Sequence, residues 1–138
     1  MPQTLKIALV GAGMFGGDVH ARAYADLQRF GIAGQLARVG LDQHARDFAA
    51  VKFELVAVAT RSPKSAERSS ATFQQWTGHA PRTYFGETPW CDILRDFPDL
   101  DVLAVATPDH LHTAPILAAL SAGAHVITEK PMCLDITE

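Results

Sequence analysis

Three glycines near the N-terminus have the spacing most directly tied to ligand chemistry. They stand in the sequence GAGMFG as Gly11, Gly13 and Gly16, with Met14 and Phe15 between the last two. Where such a run joins a buried strand to a helix, the first glycine allows a tight turn, the second leaves space for a pyrophosphate, and the third lets the helix pack closely. Free N–H groups at the helix start would bind the phosphates. The run therefore predicts a dinucleotide site.

Two other interpretations of this turn stay open. An S-adenosylmethionine site uses a similar strand–glycine–helix arrangement, and a glycine turn can also serve structure alone. A P-loop is excluded, because the Gly-Lys-Ser/Thr ending that it requires is absent from the sequence.

The end of the second predicted strand indicates which dinucleotide would bind. In an NAD site, an Asp or Glu at this point binds the ribose 2′-hydroxyl. Here the strand ends in Thr60, Arg61 and Ser62, without a carboxylate, and Lys64 follows. A guanidinium with neighbouring hydroxyl and ammonium groups suits a 2′-phosphate. We therefore predict NADP, with NAD as the alternative. Ser62 also fits a helix N-cap, and Lys64 a solvent-exposed lysine.

The elements that must position these residues follow from alternating hydrophobic patterns. Apolar runs bounded by turn residues predict strands at 5–10, 55–59, 82–85, 101–106 and 124–128. Helical spacing predicts helices between them, at 14–30, 63–77, 88–97 and 110–122. Strands without polar alternation are covered on both faces, as in a parallel sheet. Residues 1–138 are thus predicted to form one α/β domain, a Rossmann-type doubly wound parallel sheet.

Residues 31–53 lengthen the first crossover and interrupt this alternation. They predict a loop and a short extra helix near residues 42–50. The segment is either a surface elaboration or a cover for the nucleotide or an oligomer contact. At the other end of the chain, Asp135 resembles the N-cap of a further helix, so we expect the sequence to be part of a longer protein.

Composition limits the classes of partner. The 138-residue chain has a net charge of −3, which argues against a nucleic-acid surface and a polybasic membrane anchor. Its two cysteines, Cys91 and Cys133, lack metal-binding or redox spacing and indicate reduced thiols. No apolar run approaches the roughly 20 residues that span a bilayer. We expect a cytoplasmic protein.

Two motifs in the last third of the chain point to a family. TPDHLH, residues 107–112, follows the fourth predicted strand, and EKP, residues 129–131, follows the fifth. Together with GAGMFG, they resemble the N-terminal domain of the Gfo/Idh/MocA oxidoreductases. The resemblance implies a Rossmann domain and a second α/β domain that carries a catalytic histidine, most substrate contacts and the oligomer sheet.

The resemblance assigns roles to individual residues of these motifs. Lys130 would reach the nicotinamide and the substrate, polarise the reacting hydroxyl or carbonyl, and assist proton movement. Glu129 would orient the cofactor or Lys130, and Pro131 would hold the turn through a cis bond. Thr107 and Pro108 would line the nicotinamide side of the cleft.

The histidines of the first motif receive a cofactor-side role and no metal role. His112 would face the cleft from the first turn of the following helix. The family usually has asparagine at the position of Asp109, which weakens the match there. His110 and His112 are two residues apart and so lie on different faces of a helix. With no further ligand cluster in the sequence, we predict no metal site.

These patterns predict the dinucleotide-binding domain of an NAD(P)-dependent oxidoreductase. The parent protein would act on the CH–OH group of a sugar, polyol or derivative, and we expect this chain alone to be inactive. The rival interpretation is a non-catalytic nucleotide-sensing module. Sheet surfaces that a second domain would cover invite self-association, so we also expect a homo-oligomer.

Overall fold

The fold is built around one parallel sheet, as shown by a computed structural model that describes residues 3–135 and 137. Its five strands are β1 (Gln3–Val10), β2 (Val51–Thr60), β3 (Arg82–Phe85), β4 (Val102–Val105) and β5 (His125–Thr128). Their order across the sheet is β3-β2-β1-β4-β5, and every neighbouring pair is parallel. This order confirms the predicted Rossmann-type sheet, in which the strand order reverses between β1 and β4.

Helices connect the successive strands. A π-helical segment, Met14–Ala21, follows the glycine turn and continues into α1 (Arg22–Arg38). The later helices are α2 (Pro63–Thr77), α3 (Pro89–Asp96) and α4 (Thr113–Ser121), with short 3-10 helices at Asp42–Phe48 and Asp109–Leu111. In the described part of the chain, no helix is both long enough and apolar enough to cross a membrane.

The core lies on both faces of the sheet, because successive side chains of a strand point to opposite sides. Leu9 of β1 belongs to a cluster with Tyr24 of α1 and Phe73 of α2. The next residue, Val10, belongs to the opposite cluster, which includes Trp90 of α3. Burial on both faces explains why the strand sequences lack polar alternation.

Local signals determine both ends of α2. The Ser62 side chain accepts a hydrogen bond from the Ser65 backbone N–H at 3.3 Å, and Pro63 follows as the first helical residue. Gly78 ends the helix with a φ of 77°, a left-handed conformation that glycine adopts without strain. Both predicted ends of this helix are confirmed.

The first crossover differs from the prediction. Gly31 leaves helical geometry, with φ 66° and ψ 178°, but the chain resumes the helix and continues to Arg38. Residues 32–38 are therefore helical and not a loop. The short helix expected near 42–50 is a 3-10 helix, and β2 begins at Val51 because its ladder with β1 extends beyond the apolar run.

Two differences concern the second half of the chain. The helix predicted at 110–122 is divided into the 3-10 helix Asp109–Leu111 and α4, which begins only at Thr113. The helix expected after Asp135 lies outside the described residues, since 136 and 138 are not among them.

Gly16→Ala should destabilise the domain, because the added Cβ would overlap the Gly11 carbonyl oxygen. The backbone fixes both atoms, so the helix must shift, at a cost of about 1–3 kcal/mol. Gly17→Ala is the matched control, since its Cβ would lie 3.5 Å from the Ala12 carbonyl oxygen, an ordinary contact. Urea unfolding should show the loss for Gly16→Ala only. Equal stabilities of the two variants would contradict the close packing.

Candidate functional site

The carboxyl ends of β1, β2 and β4 border a cleft of about 730 Å³. It lies where the strand order reverses, which is where open α/β sheets bind ligands. Its walls are the glycine turn, the end of β2, the start of α2, the loop between β3 and α3, and the turn after β4. The sequence-predicted site residues in these walls are Gly11, Gly13, Thr60, Arg61, Thr107 and Pro108.

The three glycines of the turn meet different surroundings. Gly11 has a φ of 92°, and a Cβ there would lie 2.5 Å from the Ala106 carbonyl oxygen. Gly16 packs directly against the Gly11 carbonyl, so the first helix starts in backbone contact with the end of β1. Gly13 lines the cleft, and a Cβ there would meet no atom within 4 Å. The turn is thus tightly packed at Gly11 and Gly16 and open at Gly13.

Met14 and Phe15 lie in the same run but do not line this cleft. Their side chains are 75% and 51% exposed, and Met14 borders a smaller groove between the first helix and α2. A contact of either residue with a phosphate would therefore come from its backbone N–H group.

Two arginines line the cleft beyond the end of β2. Thr60 ends the strand and Arg61 follows it, and Ser65 and Arg68 reach the same cleft from the first turns of α2. Neither Ser65 nor Arg68 was predicted from the sequence as a site residue. Their spacing of three residues places them on one helix face, which was the available signal.

Ser62 and Lys64 do not line the cleft. The Ser62 hydroxyl is engaged as the N-cap of α2 and donates to the Ser65 hydroxyl at 2.9 Å. The Lys64 side chain is exposed to solvent. Ser62 therefore serves as a helix cap and Lys64 as a surface residue, and neither side chain reaches the cleft.

Thr107 and Pro108 line the cleft on the β4 side of the glycine turn. The Thr107 Oγ1 is buried and has no hydrogen-bond partner among the described residues. A buried hydroxyl without a partner is costly. A polar ligand group that reached it would therefore be stabilised.

His112 is placed differently from the prediction that it faces the cleft. Its ring is 0% exposed, with Nδ1 2.7 Å from the Pro131 carbonyl oxygen and Nε2 2.8 Å from the Thr107 carbonyl oxygen. The 3-10 helix at Asp109–Leu111 replaces the α-helical turn on which the prediction was based, and His110 lines the cleft instead. Within the described residues, no three His, Cys, Asp or Glu side chains are grouped to hold a metal ion.

Lys130 lies on the exposed turn after β5, outside the lining of the cleft. The Lys130–Pro131 peptide bond is cis, as the family resemblance implied. The preceding residue, Glu129, places its Oε1 2.7 Å from the Nε2 of His20 on the first helix. The Glu129 side chain is therefore engaged by the protein itself.

Through His20, the Glu129 carboxylate is linked to Tyr24 in the core. Neither His20 nor Tyr24 was predicted from the sequence as a site residue. His20 Nδ1 lies 3.0 Å from the Tyr24 hydroxyl, so Tyr24, His20 and Glu129 form a continuous chain. The hydrogen bond with His20 holds the pKa of Glu129 below its ordinary value. Burial, with a smaller contribution from the Glu129 charge, raises the pKa of Tyr24 to about 12. The four-residue spacing of His20 and Tyr24 places them on one helix face.

Comparison with known protein families shows which family this chain belongs to. A family model described as an oxidoreductase family with an NAD-binding Rossmann fold matches residues 5–138. The chain belongs to the Gfo/Idh/MocA oxidoreductase family. The match confirms the resemblance seen in the glycine, TPDHLH and EKP motifs, and it identifies the fold as the NAD-binding Rossmann domain of that family.

Individual Gfo/Idh/MocA proteins are similar along nearly all of this chain. It is 31% identical to levoglucosan dehydrogenase of Pseudarthrobacter phenanthrenivorans over 130 aligned residues. The aligned region covers 94% of this chain and 27% of that protein. A solved structure of levoglucosan dehydrogenase, in complex with NADH and levoglucosan, matches with a TM-score of 0.67 and 28% identity over 95% of this chain and 28% of that one.

A second solved structure is similar to a comparable extent. The WlbA dehydrogenase from Bordetella pertussis, in complex with NADH and UDP-GlcNAcA, matches with a TM-score of 0.62 and 26% identity over 95% of this chain and 30% of that one. The chain thus spans less than a third of the length of each of these relatives.

Neither tyrosine of the chain should ionise near pH 10. Burial is the main cause that raises the pKa of Tyr24 and of Tyr84 to about 12, and the Tyr84 hydroxyl also donates to Asp96 Oδ2 at 2.9 Å. Because the sequence holds 2 tyrosines, an ultraviolet titration of tyrosinate reports on both. We expect no tyrosinate signal at pH 10 and a rise only toward pH 12.

The same shifts should lower stability at alkaline pH. A group whose pKa is raised on folding makes its full contribution to folding stability below the pKa of the unfolded state, which is 10 for tyrosine. It loses that contribution as the pH rises through the folded-state pKa of about 12. Tyr24→Phe removes one such group, so its stability to urea should decline less over this interval than that of the wild type. A tyrosinate transition near pH 10 in the folded protein would contradict the burial of at least one ring.

Proposed function

We propose that this chain is the dinucleotide-binding domain of an NAD(P)-dependent oxidoreductase that acts on the CH–OH group of a sugar, polyol or derivative. The observation that carries the proposal is the open position at Gly13, between the closely packed Gly11 and Gly16, in the wall of the 730 Å³ cleft. A pyrophosphate suits this position, because the backbone is bare there and the helix start offers unpaired N–H groups.

Other features of the cleft also fit a dinucleotide. Its volume of about 730 Å³ lies within the range of about 300–1,000 Å³ that is typical of small-molecule sites. The unpaired Thr107 hydroxyl would gain a partner on the β4 side. On the other side of the glycine turn, Arg61 and Arg68 offer positive charge, so the cleft provides polar contacts at both ends.

The proposed cofactor preference is NADP over NAD. The end of β2 presents Thr60 and Arg61, not the carboxylate that binds a 2′-hydroxyl. Among the described residues that line the cleft, Glu87 is the only carboxylate, and it comes from the loop after β3. Arg61 and Arg68, with the Ser65 hydroxyl, would hold a 2′-phosphate by charge and hydrogen bonds.

Lys130 is the candidate catalytic residue that this chain would contribute. When bound, the nicotinamide ring supplies the hydride-transfer chemistry. The Lys130 Nζ would donate a hydrogen bond to the reacting oxygen and move a proton to or from it. Because Lys130 is exposed beyond the cleft, it is accessible to a substrate held by another part of a longer protein.

The substrate class is supported by the relatives. The levoglucosan dehydrogenase complex holds levoglucosan, and the WlbA complex holds a nucleotide sugar. Both ligands carry secondary alcohol groups, which are the groups that a nicotinamide cofactor oxidises. By the family resemblance, the residues that would select among such substrates would lie in a second domain, in the part of the relatives that this chain does not span.

NADPH should bind this chain more tightly than NADH. The measurement is quenching of Trp90 fluorescence in a Trp76→Phe background, which leaves Trp90, a residue of the cleft, as the remaining tryptophan. Arg61→Ala should weaken NADPH binding about 10-fold or more, because a hydrogen bond to a charged group contributes about 1.5–3 kcal/mol. NADH binding should change little.

Arg46→Ala is the matched control for the loss of one positive charge. Arg46 is exposed on the 3-10 helix Asp42–Phe48, away from the cleft lining. It should leave both affinities unchanged. Tighter binding of NADH by the wild type would overturn the NADP preference and keep the dinucleotide proposal, whereas binding of neither cofactor would contradict both.

A further inference from the structure

The turn that carries Lys130 is held on both sides by histidines from other parts of the chain. On the N-terminal side, His20 Nε2 lies 2.7 Å from Oε1 of Glu129. On the C-terminal side, His112 Nδ1 lies 2.7 Å from the carbonyl oxygen of Pro131. Lys130 is the residue between these two contacts, and its own side chain is exposed.

The first contact is anchored in the core. Glu129 is an acceptor as a carboxylate, so His20 donates to it from Nε2, and Nδ1 then accepts from the Tyr24 hydroxyl at 3.0 Å. Both nitrogens of the His20 ring therefore have a partner within the protein. Tyr24 is 6% exposed and packs in the core cluster that also contains Phe73 of α2. This packing fixes the end of the hydrogen-bonded series that lies farthest from Glu129.

The second contact joins the turn to the wall of the cleft. His112 is fully buried, and its Nε2 lies 2.8 Å from the carbonyl oxygen of Thr107 while Nδ1 faces Pro131. One ring therefore spans the turns that follow β4 and β5. Thr107 lines the cleft, so the position of the Lys130 turn is tied to the position of that wall.

We propose that His20 and His112 are positioning residues that form a two-sided clamp on the Lys130 turn, which brings Lys130 to a fixed place beside the nicotinamide end of the cleft. The catalytic meaning of the clamp rests on the proposed function, but the clamp itself does not. Neither histidine is presented to the cofactor, because both ring nitrogens of each lie within 3.0 Å of an oxygen atom of the protein.

The direct test measures backbone order in the full 138-residue chain without ligand. Relaxation of the ¹⁵N amides should give Lys130 an order parameter of about 0.85 in the wild type, and His20→Ala should lower it below about 0.6. His20→Gln keeps a side-chain N–H donor and should restore much of the order. The amides of α3, a helix to which His20 and His112 make no hydrogen bond, report whether the fold is intact. Lys130 that stays rigid in a folded His20→Ala protein would overturn the proposal.

The second side of the clamp is tested with His112→Ala and, where loss of the buried ring unfolds the chain, with His112→Gln. Both should mobilise Lys130 and Thr107 together, because the ring links their turns. Mobility of Thr107 alone would contradict the clamp. If His112→Gln also unfolds, the His20 variants decide the proposal.

A binding comparison separates the clamp from the cofactor proposal. The probes are NADPH and 2′-phospho-ADP-ribose, which lacks the nicotinamide. His20→Ala should weaken NADPH binding roughly fivefold, which corresponds to the loss of about one hydrogen bond, or about 1 kcal/mol. The affinity for 2′-phospho-ADP-ribose should stay within about twofold of the wild-type value. Equal weakening of both probes would argue for a general structural role and against the clamp. If the wild type binds neither probe, the proposed function fails, and the order parameters alone decide the clamp.

Discussion

Backbone contact at the end of β1 is the constraint on which the rest of the site depends. The first helix starts with Gly16 against the carbonyl of Gly11, and Gly11 in turn lies close to the carbonyl of Ala106. Three parts of the chain, the end of β1, the helix start and the turn after β4, meet there without side chains between them. This contact places the helix N–H groups and the bare Gly13 backbone at the same edge of the sheet.

The side chains around this contact divide into two sets with different surroundings. Beyond β2, Arg61 and Arg68 present charge to the cleft. Beyond β4 and β5, two histidines and a carboxylate are held by contacts within the protein: His112 bridges two turns, and His20 holds Glu129. A cofactor lying across the glycine turn would thus meet available charge at one end and a preorganised, internally bonded frame at the other. Such a division suits a site that binds by one half and reacts at the other.

The fold could be predicted largely from local signals, and the site only in part. Ser62 and Gly78 mark the ends of α2 because capping and left-handed geometry depend on neighbouring residues alone. The helix predicted at 14–30 is interrupted at Gly31, but the local pattern did not predict the second helical stretch that runs on to Arg38. The His20–Glu129 contact joins residues 109 positions apart, so no local pattern specifies it. The motifs predicted which turns carry chemistry, and only the tertiary structure shows how those turns are held.

The central claim is that a dinucleotide lies across the glycine turn in the cleft between β2 and β4. The most direct test is a titration of the ¹⁵N-labelled chain with NADPH, followed through every backbone amide. The largest shifts should fall on residues 13–16 and on Thr107, with smaller shifts at Arg61 and Arg68. Shifts confined to the smaller groove, around Thr72 and Trp76, would place the ligand elsewhere and contradict the assignment.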